Sequence, residues 1–277
     1  MTRSTGARTG QGGPLLRAAH IGPAVAVTLV VALLAVRQGL PLVRGVVVTA
    51  AVFAGQLTIG WGNDLLDTKR DRDAGRRDKP LATGELTSTV VLTSLVVAAI
   101  ACVVLSFLVG WRSALVHLGI GVTSGHLYNA ALKGSVWSWL PYAMAFGTLP
   151  AVVTLADIPP SWPPAWMLGT AAAIGVAAHL LNALPDLDDD LATGLRGLPH
   201  RLGRTASRVL ATGLLVCGSV VAILGSGGLP VGWRPVTVVV VVGLAGLALL
   251  GRGRVPFAAA IGIGLVDVVL LTVVSLR

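Results

Sequence analysis

Nine apolar runs of about 20 residues each leave this chain few ways to fold. They fall at 16–36, 43–63, 87–109, 113–131, 137–156, 165–184, 206–226, 231–250 and 255–275. A run of that length crosses a bilayer core as a helix, because only a helix pairs all its own backbone groups there. Charged residues are 12% of the chain and gather between the runs, while hydrophobic residues reach 54%. The runs do not alternate in and out, which excludes a β-barrel. The expected fold class is an all-α integral membrane protein with nine transmembrane helices in a bundle.

The basic residues orient that bundle. With the N-terminus inside, 16 of the 21 Lys and Arg residues fall on inside segments, mostly the 64–86 and 185–208 loops. Such an asymmetry is the positive-inside pattern. The +9 net charge is therefore a topology signal and does not point to nucleic acid. The N-terminal stretch reads as a flexible cytoplasmic arm over 1–15, not a cleaved signal peptide. Cys102 and Cys217 lie within apolar runs and form no disulfide or metal framework. Arg outnumbers Lys, and Ala, Val and Gly abound, a composition that suggests a bacterial inner membrane.

Within the two basic loops a stretch is written twice, 119 residues apart. Asn63, Asp67, Asp71, Gly75, Pro80 and Gly84 recur as Asn182, Asp186, Asp190, Gly194, Pro199 and Gly203. The repeat divides residues 16–277, a single transmembrane domain, into two four-helix units at about 16–136 and 137–254, plus a ninth helix at about 255–275. On a helix, side chains four residues apart form one slowly drifting stripe. Each copy is thus expected to present an amide and two carboxylates along one helix face.

Paired oxygen-rich stripes suit hard divalent cations. Mg2+ keeps several waters and shares itself between protein carboxylates and substrate phosphates, so the expected ligand is a diphosphate. Metal ligands are expected at Asn63, Asp64, Asp67, Asp71, Asn182, Asp186 and Asp190. Nearby cations would stabilise charge on a diphosphate leaving group. The candidates are Lys69, Arg72, Arg76, Arg77 and Lys79 in the first loop and Arg196, Arg201 and Arg204 in the second, foremost Lys79, Arg72, Arg76 and Arg196. Lys133 is the one charge in its turn and follows Tyr128 and Asn129. A diphosphate whose carbon chain belongs among membrane helices is a polyprenyl diphosphate. Aromatic faces could stabilise the allylic cation it leaves, with Trp61, Tyr128, Trp137, Trp139, Tyr142 and Phe146 as possible linings. His179, three residues before Asn182, is a candidate proton acceptor, set against a buried histidine satisfied by a neighbour. Asp267 stands alone in the last run without an assigned role.

The first motif, Asn63-Asp64-x2-Asp67-x3-Asp71 with Lys79-Pro80-Leu81-Ala82-Thr83-Gly84, and the second, Asp186-x3-Asp190-x3-Gly194 with Leu198-Pro199-x2-Leu202-Gly203, resemble the UbiA superfamily of intramembrane prenyltransferases. The Arg17-x2-His20-x2-Pro23 opening and the Tyr128–Lys133 turn are similar to that family as well. The resemblance implies nine helices around a central cavity, Mg2+ at the two acidic motifs, and prenyl transfer to a small-molecule acceptor within the lipid bilayer. Carried onto this chain, Asn63, Asp67, Asp71, Asp186 and Asp190 would hold the metal and Lys133 would meet the diphosphate. The chain departs from the family's Gly-Lys-x-Thr-Leu pattern after the second motif. Leu195 and Gly197 stand where the Lys and Thr would be, with Arg196 as a replacement charge. Two other readings compete: a UbiA-type terpene cyclase needing no acceptor, and a secondary transporter, whose charges would belong nearer the midplane.

Overall fold

The computed structural model describes residues 12–225 and 232–273, and these are helical almost throughout. The helices are α1 (Gly12–Ala18), α2 (Ile21–Gln38), α3 (Leu42–Asp73), α4 (Pro80–Thr83), α5 (Ser88–Val109) and a continuous helical stretch α6 over 111–132. They continue with α7 (Leu140–Thr154), α8 (Ala165–Asn182), α9 (Leu187–Ala192), α10 (Leu198–Gly225), α11 (Trp233–Leu250) and α12 (Val255–Val273). Residues 1–11 of the expected arm lie outside the described residues, and 12–15 belong to α1.

Among the described residues seven helices, α2, α3, α5, α8, α10, α11 and α12, are long and apolar enough to cross a membrane. The other two expected spans coincide with α6, which contains two π-helical segments, and with the shorter α7. Long outward side chains such as Leu92, Val96, Ile100 and Phe107 on α5 remain exposed, as a lipid-facing surface requires.

Packing closes a ring. α2 packs on α3, α3 on α6, α6 on α7, α7 on α8, α8 on α10, α10 on α12, and α12 returns to α2. α5 packs outside the ring against α3, and α11 against α12 and α10. One apolar core joins α2, α3, α6, α7 and α8 around Val31, Val52, Val152 and Met167. A second joins α8, α10, α11 and α12 around Leu180, Leu215 and Ile263.

Two local sequence features set the helix ends that matter for function. The expected first span does not begin as one helix. Pro23 lacks an N–H, and its ring would clash with the carbonyl of Ala19 in a continuous helix. The chain therefore turns at His20, whose φ of 51° is left-handed, and α2 starts afresh at Ile21. At 32 residues α3 is about 48 Å long, well beyond the hydrocarbon thickness of about 30 Å. Its last turns, carrying the acidic stripe, thus emerge at the bundle end.

The two sequence copies share glycines of positive φ at matching offsets. Gly75 and Gly194 have φ of 66° and 83°, and Gly84 and Gly203 have 81° and 75°. A Cβ is strained there, which is why glycine recurs at both offsets. Pro80 opens α4 and Pro199 sits in the first turn of α10, positions that need no N–H.

Candidate active site

The first motif forms the stripe that its spacing predicts. Asn63, Asp67 and Asp71 all lie on α3, with both carboxylates buried. Asp67 accepts from Lys133 Nζ and, at 2.8 Å, from Arg70 Nη2; Arg70 also lies 3.8 Å from Asp71. Asp64 is turned to the α1–α2 junction, where Oδ1 meets Lys79 Nζ at 2.7 Å and His20 Nε2 at 3.0 Å. Its Oδ2 is buried without a hydrogen-bond partner.

The second motif is not one stripe, which corrects the sequence expectation. α8 ends at Asn182, and the short α9 begins only at Leu187. Pro185 is the cause, since it disfavours helix at Leu184 and cannot donate back along α8. Asp186 sits just ahead of α9 and is exposed, while Asp190 is half-buried and meets His200 Nε2 at 3.2 Å.

The copies nevertheless converge. Asn63 and Asn182, the opening residues of the two motifs, line one cavity of about 280 Å³ together with His20, Gln56, Tyr128 and Phe146. Arg76, in the loop after α3, forks onto Asp78 at 3.0 and 3.1 Å. That hydrogen-bonded carboxylate raises the guanidinium above its ordinary pKa, and Asp186 and Asp71 push the same way. Arg76 therefore lies within the field of both motifs.

The π-helical turn at Tyr128–Leu132 positions the opposite wall. Lys133 N–H bonds to Tyr128 O at 2.9 Å, an i→i−5 bond that widens the turn. Tyr128 and Asn129 thereby line the cavity while Lys133 reaches Asp67. Asn129 is also a clamp, its amide donating to Ile59 O on α3 at 2.9 Å. Tyr128 and Tyr142 meet edge-on with centroids 5.1 Å apart, and Tyr142 stacks beside Phe146 at 6.3 Å.

Several expected site residues do other work. His179 is buried outside the cavity lining, with Nε2 2.9 Å from Ser138 Oγ and its ring against Tyr142. Arg72 is exposed and bonds Leu81 O at 3.3 Å, bracing the loop. Arg196 is exposed and forms no ion pair with either motif, because the chain leaves α9 through a left-handed turn at Gly194. Trp61 donates to Leu15 O at 3.0 Å, tying α3 to α1, and neither it nor Trp137 or Trp139 lines the cavity.

Three functional neighbours escape sequence reasoning. Arg70 is three residues after Asp67, a spacing that places it on the same face and would have revealed it. Gln56 is a polar amide in an apolar run, seven residues before Asn63 and so on the same face. His200 carries no such sign. Among the described residues no three His, Cys, Asp or Glu side chains cluster as a metal cage.

The sequence profile of the UbiA prenyltransferase family matches residues 24–259. The chain belongs to this family. Among curated proteins it is similar to the 4-hydroxybenzoate octaprenyltransferase of Shewanella amazonensis, 30% identical over 51% of this chain and 49% of that protein. The enzyme of that name from Shewanella woodyi is 27% identical over 54% of this chain and 52% of its own length. The chain thus spans about half the length of the curated relatives it matches. Among solved structures, a UbiA homologue from Aeropyrum pernix in its apo form superposes with TM-score 0.71 at 16% identity, covering 91% of this chain and 98% of that one. A UbiA homologue from Archaeoglobus fulgidus bound to GPP and Mg2+ gives TM-score 0.67 at 14% identity, covering 94% and 99%. The family member described here is a multi-pass membrane protein.

Proposed function

We propose that this UbiA-family protein transfers a prenyl group from a polyprenyl diphosphate to a small acceptor, aromatic or lipid-like, inside the membrane. The observation that carries the reading is the single cavity lined by both Asn63 and Asn182. An aromatic-walled chamber lined by the opening asparagine of each motif, with the carboxylates beyond its lining, is suited to a diphosphate whose hydrocarbon tail lies among helices.

The residues present fit Mg2+. They are hard oxygen donors, and Asp64 Oδ2 is buried and unpartnered. Asn63, Asp67, Asp71, Asn182, Asp186 and Asp190 would hold it, with Asp64 contributing Oδ2 only. Bound there, Mg2+ would neutralise charge on the departing diphosphate.

The chain's own side chains do the rest. Lys133, Lys79 and Arg76 would meet diphosphate oxygens once they release their carboxylate partners Asp67, Asp64 and Asp78. The allylic C–O bond breaks, its electron pair leaves with diphosphate, and the cation faces the rings of Tyr128, Tyr142 and Phe146. The acceptor's nucleophilic atom bonds to that carbon, and its loss of a proton completes the transfer. Nine crossings, with the N-terminus and both acidic loops on the cytoplasmic side of a bacterial inner membrane, agree with the basic loops and the closed ring of helices.

The test uses purified protein, Mg2+ and geranyl diphosphate, with and without 4-hydroxybenzoate, followed by phosphate assay and mass spectrometry. Diphosphate release that depends on an acceptor supports transfer. A cyclised hydrocarbon or alcohol made without acceptor assigns the cyclase reaction instead.

A further inference from the structure

A second cleft, of about 650 Å³, opens between the start of α10, the start of α12 and the loop after α8. Arg204, Arg208 and Arg254 line it with Thr205, and Phe257 and Leu184 supply an apolar wall. Its volume lies within the range of small-molecule sites, about 300–1,000 Å³. No acidic residue lines it.

The arginines are unequally occupied. Arg204 donates to Leu184 O and, at 2.8 Å, to Asp188. Arg208 is half-buried, its side chain has no hydrogen bond or ion pair among the described residues, and its Nε is buried without a partner. Arg254 is exposed and equally unpaired. Leaving a buried guanidinium N–H unsatisfied is costly unless a ligand completes it. Residues 1–11, which lie outside the described residues, contain two arginines and no acid, so they offer no counter-charge.

We infer that this cleft binds the phosphodiester headgroup of an anionic phospholipid, with the Arg208 and Arg254 guanidiniums on the phosphate and the lipid's glycerol and upper acyl region against Phe257 and Leu184. Three features favour a lipid over a soluble anion. The cleft lies at the end of the bundle where α10 and α12 begin, the level at which headgroups sit. Its floor pairs cations with apolar side chains, matching an amphiphile. Basic pockets between transmembrane helices recognise anionic headgroups by this combination, and the guanidinium fork matches phosphate oxygens. Arg204 connects the cleft to the loop of the second motif through Leu184 and Asp188.

Binding is read directly, independently of turnover. Full-length protein in detergent is equilibrated with phosphatidylglycerol or phosphatidylcholine and examined by native mass spectrometry. The wild type is expected to retain phosphatidylglycerol preferentially. Arg208→Gln/Arg254→Gln is expected to weaken that retention roughly thirtyfold, the effect of two surface charges. Arg254→Gln alone changes an exposed side chain, which keeps folding out of the comparison, and should weaken it roughly fivefold. Equal retention of both lipids, or unchanged retention in the single and double variants, overturns the assignment. Displacement of the lipid by inorganic phosphate at equal concentration also overturns it, by assigning the cleft to a free anion.

Discussion

Lys133 donates to Asp67 across 66 residues of chain, so the end of a π-widened turn closes onto the middle of the first acidic stripe. The pair is largely withdrawn from solvent, with side-chain exposure of 15% and 8%. The ammonium balances the carboxylate here, and under the proposed function it would meet a diphosphate oxygen when substrate enters. Lys133→Met is expected to raise KM for geranyl diphosphate at least tenfold, with about a hundredfold loss in kcat/KM. Steady-state diphosphate release measures both, and unchanged KM would remove Lys133 from the substrate site.

Asp67→Asn and Asp190→Asn test the two motifs separately. Each replaces one anionic carboxylate oxygen with an amide nitrogen at nearly constant size. Each is expected to lower turnover by roughly two to three orders of magnitude. Full turnover in both would dissociate the acidic motifs from the chemistry.

Chelation gives an independent check on the metal. Excess EDTA is expected to stop diphosphate release, and added Mg2+ to restore it. Ca2+ should restore little, because its longer, more variable coordination does not hold a diphosphate in the same position. Activity persisting in EDTA would be incompatible with the metal assignment.

Gly60 tests the packing that shapes the cavity. It lines the chamber on α3, and a Cβ there would meet the carbonyl oxygen and backbone of Ala19 at the α1–α2 turn. Backbone on both sides cannot swing away as a side chain would. Gly60→Ala is expected to destabilise by about 1–3 kcal/mol, read as a lower midpoint in thermal unfolding in detergent. An unshifted midpoint would show that the turn yields freely.

The apolar runs and the first acidic motif were legible because both depend on local periodicity. Each run's length fixes a helix, and steps of four put Asn63, Asp67 and Asp71 on one face of α3 whatever surrounds it. The same rule misread the second copy, where Pro185 interrupts the helix between Asn182 and Asp186. The proline was visible in the sequence, but the repeat's equal spacing outweighed it.

Contacts across helices were another matter. That His179 turns to Ser138, that Asp64 is held by Lys79 and His20, and that Arg196 stands apart from both motifs depend on how helices dock. The sequence alone determined a helical membrane bundle, its doubled acidic motif and the glycines at its turns, because periodicity, hydrophobic length and φ restrictions act within a few residues. Only the tertiary structure decided that Asn63 and Asn182, the opening residues of the two motifs, line one chamber and which cations pair with which carboxylates. Such pairings join side chains tens of residues apart, and they follow from the packing of whole helices.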